Sequence, residues 1–474
     1  MHSVSGTYEN ERRMADPKAT LTFAGGAGTV TGANFLLESG NLKLLVDCGL
    51  NQSRLLCEHC NYDPFPYDPS SVDVLFITHA HLDHIGRVPK LVHDGFRGVI
   101  YSTPSTREIA ALMFEDSITH LSREAEESGK KPLYNANDVV KALSLWKTAQ
   151  YHAETKLDEE HSFIFKDAGH IMGSAMVEIT HKTDKGPKKI VFTGDLGNSP
   201  TPLLRDTEPI TDADYLVMES VYGDRNHETS MEERTERLKE VANATLSRGG
   251  VLLIPAFSIE RTQVILHELD NLVEHHQIPR VPVYLDSPLA IRVTEIYANY
   301  PKNFNETIQK ELKIDKNIFG FPGLELTLTA KESKTIEYTD EPKIIIAGSG
   351  MSYGGRILFH ERAYLSDPKN TILIVGYQVP GTTGRQILDG CKTVTIFDSK
   401  IHVRAQVETI SGFSAHKDSD HLLAFIETAA SKLKRAFIVM GEPKASLFLA
   451  QRARDYLDVN ATAPKQGDSA VIDY

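Results

Sequence analysis

A chain of 474 residues, 41% hydrophobic and 24% charged, is long enough for two domains or for one domain with a large insertion, and has the make-up of a globular enzyme. Its net charge of −13 excludes a protein that coats nucleic acid through its overall field, although bound divalent cations would reverse that field locally, and its four cysteines exclude a disulfide scaffold. No apolar run approaches the roughly 20 residues that span a bilayer, and the first residues lack a signal pattern, so no membrane partner is expected and the expected location is the cytoplasm.

Residues 1–18 are polar and aperiodic and are expected to form a flexible tail. A strand should begin at Thr20, followed by a glycine-rich turn from Gly25 to Gly32 that lacks the Lys and Ser/Thr ending of a phosphate-binding loop. Two further strands around Phe35 and Leu45, joined by Ser39, Gly40 and Asn41, read as a hairpin. Cys57 and Cys60 have no second ligand pair of matching spacing, so no structural zinc is expected there. The apolar run 74–77 then reads as a buried strand that delivers His79, His81, Asp83 and His84 into a loop at its C-terminal end. Imidazole and carboxylate at this density serve no folding purpose and are ligands for zinc-like cations; the plain alternative is a solvated His-rich turn. Beyond it, helices are expected at 87–93, at 105–128 with Ser105 or Thr106 as cap, and at 137–147 with Val140, Leu143 and Trp146 along its apolar face; a strand is expected at 98–102.

The cluster at His79, His81, Asp83 and His84 resembles the HxHxDH signature of the metallo-β-lactamase superfamily. That resemblance implies an αββα sandwich and two Zn2+ ions. It gives His79, His81, His170 and Asp195 to the first ion, and Asp83, His84, Asp195 and His416 to the second. Asp47 stands where the superfamily carries an Asp that orients the ligand loop rather than binding metal.

Between Asp195 and the last ligand, His416, lie 220 residues, most of which read as an inserted α/β unit. Its helices are expected at 231–246, 261–275, 289–299 and 355–364, and its strands at 251–254, 283–285, 343–347 and 371–375. The strand ends carry Glu219 to Gly223, Pro255 to Phe257, Asp286 to Pro288, Ser349 to Met351, Gly376 to Gln378 and Ser411 to His416. These resemble the β-CASP branch of the superfamily, which acts on nucleic acids. The expected architecture is therefore a metallo-β-lactamase domain at 19–212 and 393–474 with a β-CASP domain inserted at 213–392.

On this resemblance Asp83, Asp195, Glu219 and His416 are the catalytic set, and the partner is single-stranded RNA, with a homodimer as a further option. A water activated between the two zinc ions would attack phosphorus in line and leave a 5′-phosphate and a 3′-hydroxyl. Backbone amides at Ser349, Gly350, Gly381 and Thr382, and the side chains of Arg261, Arg356 and Arg385, are the phosphate contacts. Asp418 either supports His416 or opens the following helix. Tyr222, Phe257, Tyr353 and Tyr377 either stack bases or fill the core. Gln386 falls where the family carries its motif B histidine, ten residues after Gly376, and cannot relay a proton as His does. Two rivals follow: a hydrolase of a small ester, thioester or lactam, and a catalytically impaired RNA-binding subunit.

Overall fold

The computed structural model describes residues 18–52, 60–227 and 230–473. The expected tail lies outside the described residues except for Lys18, as do Cys57, Glu58 and His59. Two seven-stranded sheets face one another. The first runs, edge to edge, through the strands Ser469–Asp473, Lys18–Gly25, Asn34–Ser39, Leu42–Val46, Val74–Phe76, Val99–Ser102 and Trp146–Thr148. The second runs through Ala461–Thr462, Arg435–Ile438, Tyr215–Met218, Gly186–Phe192, Ala175–Thr183, His161–Asp167 and Thr155–Lys156. Alternate residues of the facing strands point inward and supply an aromatic core: Phe76 and Phe163 stand 4.8 Å apart edge to face, and Phe23 meets Phe437 at 5.3 Å. Helices Pro104–Ser128 and Ala136–Ser144 bury their apolar faces on the outside of the first sheet, and Ser419–Glu427 and Pro443–Leu457 cover the second. This is the expected αββα sandwich.

A six-stranded sheet forms a separate layer, in the order Leu324–Leu326, Val283–Asp286, Lys343–Ala347, Val251–Pro255, Thr371–Ile374 and Gln406–Thr409. Every pairing in it is parallel, and its central strands are buried along their whole length. That explains why they read in sequence as continuous apolar runs rather than as alternation.

The structure moves both expected edges of the insertion. Tyr215–Met218 pairs in parallel with Ile190–Phe192 and with Arg435–Ile438, so it belongs to the sandwich and the insertion begins after it, not at 213. Gln406–Thr409 pairs with Thr371–Ile374, so the inserted sheet closes at Thr409 rather than at 392. Two local expectations also change. The long helix starts at Pro104, capped by the Thr103 hydroxyl, which accepts from the Thr106 amide. Trp146 leaves the preceding helix and opens an edge strand, because its indole N–H donates to Ser102 Oγ at 2.8 Å while its ring packs towards Phe114; Val140, expected on the apolar face, is exposed. Among the described residues no helix is long and apolar enough to cross a membrane.

Candidate active site

The strand Val74–Phe76 is fully buried, and the chain beyond it turns across the mouth of the sandwich. The Asp47 carboxylate fixes that turn. It accepts from the Thr78 amide at 2.8 Å, from the Thr78 hydroxyl at 2.8 Å and from His84 Nδ1 at 2.7 Å. Gly49 permits the close approach behind it, since a Cβ there would lie 1.5 Å from the Asp83 carbonyl. The structure thus places Asp47 where it sets the tautomer and direction of His84 and leaves the imidazole Nε2 facing inward.

Four loops bring the expected ligands together. His79 Nε2 and His170 Nε2 lie 3.1 and 3.2 Å from His81 Nδ1. Asp195 sits at the centre, 3.5 Å from His79, 3.3 Å from His84, 3.6 Å from His170 and 4.0 Å from His416. Asp83 comes within 4.0 Å of His84 Nε2. His170 Nδ1 donates to the Ala415 carbonyl at 3.2 Å, and Gly197 bridges to His416, so the loop carrying the last ligand is laced to the loops of the third and fourth.

The electrostatics are those of a buried site crowded with ligands. Burial drives His81 down to about 3 and holds His79 and His170 well below the usual imidazole range, so all three nitrogens are neutral and free to bind a cation. Burial pushes Asp83 up to about 6. Burial opposes charge on Asp195 as well, but the His84 imidazolium beside it outweighs burial and holds it well below the carboxylate range.

Two buried atoms here, His84 Nε2 and Asp195 Oδ1, have no hydrogen-bond partner although they face each other. Imidazoles and carboxylates converging on one point, with these two buried atoms left unsatisfied, are the donor chemistry of a metal ion. The ligand atoms fall into overlapping groups: His79, His81, His170 and Asp195; Asp83, His84 and Asp195; and Asp195, Glu219 and His416.

Beside these groups opens a cleft of about 470 Å³, lined by His170, Ser199, Arg234, Arg261, Phe413 and His421 among others. Its far wall comes from loops at the C-terminal ends of the parallel strands of the inserted sheet, where open α/β sheets bind ligands.

Comparison with known proteins agrees with this geometry. Residues 27–237 match the family model of the metallo-β-lactamase superfamily, 262–387 that of the Beta-Casp domain, and 400–464 that of the Zn-dependent metallo-hydrolase RNA specificity domain. Ribonuclease TTHA0252 of Thermus thermophilus is 37% identical over 90% of this chain and 94% of its own length. The transcription termination factor FttA of Methanosarcina mazei is 30% identical over 98% of this chain and 73% of its own. The RNase J-like protein of Methanocaldococcus jannaschii is 31% identical over 94% and 98%. The chain belongs to the β-CASP family of the metallo-β-lactamase superfamily. A crystal structure of a protein of unknown function from Enterococcus faecalis aligns over 96% of this chain and 100% of that one, with a TM-score of 0.55 at 13% identity, and so shares the fold.

As a β-CASP protein the chain takes a metal cofactor, and the supporting residues differ from expectation. Asp418 does not reach His416; it caps the helix Ser419–Glu427, accepting from the His421 amide, and lies 2.7 Å from His421 Nδ1. Glu219 holds His416 instead. It is buried, 3.2 Å from His416 Nδ1, and accepts from the Leu196 amide at 2.6 Å and the Val221 amide at 3.2 Å. Burial would lower His416, but Glu219 and Asp195 outweigh burial and raise it to about 9.

Of the three arginines expected to bind phosphate, two are already engaged. Arg356 donates to Asp286 at 2.6 Å and to the Thr327 and Leu328 carbonyls, and Arg385 pairs with Asp389 at 2.9 Å. Arg261 lines the cleft, and its charge acts on His81. One Nη bonds the Val375 carbonyl, and burial lowers Arg261 to about 10.

The backbone amides of Ser349 and Thr382, expected to meet phosphate, already donate to the Gly354 and Val379 carbonyls at 3.1 and 3.2 Å. The Gly350 carbonyl accepts from Gln378, and at Gly381 open space surrounds the position of a Cβ. Gln386 is exposed on the short helix Thr383–Leu388. Phe257, Tyr353 and Tyr377 are exposed rather than core residues, while Tyr222 packs against His227, ring centres 4.7 Å apart and planes tilted by 55°.

Sequence reasoning missed Arg234, which is buried against Glu268 and the Gly412 carbonyl, and His227, whose Nε2 donates to the His416 carbonyl at 2.8 Å. Neither carries a local signal, since each is defined by partners far along the chain.

Proposed function

We propose that this chain is a ribonuclease that uses two zinc ions to hydrolyse phosphodiester bonds of single-stranded RNA, leaving a 5′-phosphate and a 3′-hydroxyl. The observation that carries the reading is the convergence of His79, His81, Asp83, His84, His170, Asp195 and His416 beside a cleft that His170 and Arg261 both line. His79, His81, His170 and Asp195 would hold one ion, and Asp83, His84, Asp195 and His416 the other. When bound, the ions supply an activated water near neutral pH and Lewis acidity toward the phosphate.

The chain's own residues do the rest. Asp47 and Glu219 hold the His84 and His416 rings at Nδ1, so that a ligand shift of about an ångström, which is costly in catalysis, is prevented. Asp83 is the more exposed of the two inner carboxylates, 18% against 4% for Asp195, and is placed to take up the proton of the attacking water at its carboxylate oxygen. Arg261 binds a phosphate oxygen with the N–H groups not used by Val375. The exposed rings of Phe257, Tyr353 and Tyr377, on neighbouring loops, offer stacking surfaces to unpaired bases. The Thermus relative that matches most of this chain is named a ribonuclease, which supports RNA as the substrate class. Chelation tests the reading: cleavage of single-stranded RNA should stop on metal removal and return with zinc, and RNA cutting that survives chelation would sink it.

A further inference from the structure

A second cluster of ligand-type side chains lies away from the catalytic centre. His161 and His181 are directly opposite one another on the antiparallel strands His161–Asp167 and Ala175–Thr183, both buried. The strand between residues 161 and 167 alone spans roughly 20 Å, which separates this pair from His170 at its other end. His161 Nδ1 lies 3.0 Å from both oxygens of Asp158, so its N–H is donated there and its Nε2 lone pair faces inward. This repeats the relation of His84 to Asp47.

Two groups crowd that lone pair: His181 Nδ1 at 2.7 Å and Ser39 Oγ at 2.8 Å. The Glu160 carboxylate completes the group, and the three ligand atoms lie within 4.8 Å of one another.

We propose that His161 Nε2, His181 Nδ1 and the Glu160 carboxylate bind a divalent cation of the zinc class at a site separate from the catalytic centre. Two imidazoles and a carboxylate are a zinc donor set, with Asp158 orienting the first ring from behind. The fourth position faces the Ser39 hydroxyl, which belongs to the first sheet while both histidines belong to the second. A cation here ties the two layers of the sandwich together. Binding would open the 2.7 Å contact by about half an ångström, toward the spacing already present between His79, His81 and His170.

The proposal does not depend on the nuclease reading. Its test uses the full chain carrying Asp195→Ala, which disables the catalytic ion set, equilibrated with zinc and desalted. Metal content and melting temperature are then compared with the same chain also carrying His181→Ala, or Glu160→Gln at an exposed position that leaves packing intact. The expected result is one fewer zinc per chain in either double variant, with loss of the zinc-dependent rise in melting temperature. Equal zinc content in all three chains would mean that the histidines only share a proton, and would overturn the proposal. If His181→Ala fails to fold, Glu160→Gln decides.

Discussion

Glu219 Oε1 lies 3.2 Å from His416 Nδ1 and 2.6 Å from the Leu196 amide nitrogen, so one buried carboxylate joins the last ligand of the chain to the loop that carries Asp195. Orienting groups of this kind are worth roughly 10–100-fold in metal affinity or activity. Glu219→Ala should therefore weaken zinc binding by that factor, and Glu219→Gln, which keeps the acceptor for Leu196, by less. A zinc competition assay reads it, and unchanged affinity in Glu219→Ala would show that the carboxylate does not position His416.

Arg261 and Arg356 should part company on mutation. Hydrogen bonds to a charged group are worth about 1.5–3 kcal/mol, so Arg261→Ala should lower kcat/KM on RNA roughly tenfold to a hundredfold, with Arg261→Lys between. Arg356 is locked to Asp286, and breaking a buried pair costs about 3–5 kcal/mol. Arg356→Ala should lower the denaturation midpoint while the folded fraction keeps its specific activity.

Asp286 also sets a pH dependence of stability. Burial would raise its carboxyl, but hydrogen bonds from His360, Ser333, Thr327 and Arg356 outweigh burial and hold it at about 2. Because the folded value is depressed, the stabilisation is present above the ordinary carboxylate value of 3.8 and is lost as the pH falls to about 2. It amounts to about 2 kcal/mol. Urea unfolding of the native chain and of Asp286→Asn at pH 6 and pH 3 should show the gap between them shrinking at the lower pH; a constant gap would contradict the assignment.

Gln386 should be indifferent. Exposed substitutions usually shift stability by no more than about 0.5 kcal/mol, so Gln386→His should leave the chain folded with its urea midpoint nearly unchanged, and its rate on RNA should stay at the native value. A large gain would mean that position 386 reaches the substrate.

Much of this was legible in the sequence, for physical reasons. His79, His81, Asp83 and His84 stand out because no folding role asks for four ligands in one loop, and the strands of the inserted sheet stand out because burial on both faces leaves unbroken apolar runs. What stayed hidden depends on distant partners. Nothing local shows that Arg356 is consumed by Asp286, that Asp418 turns to His421 while Glu219 takes His416, or that Tyr215–Met218 pairs with Arg435–Ile438.

The most direct test is cleavage of end-labelled single-stranded RNA by the purified zinc-loaded chain, beside Asp83→Ala and Asp195→Ala. The site described here predicts products with a 5′-phosphate from the native chain and none above background from either variant. A native chain that holds two zinc ions in the catalytic ligand set and leaves every RNA intact would contradict it.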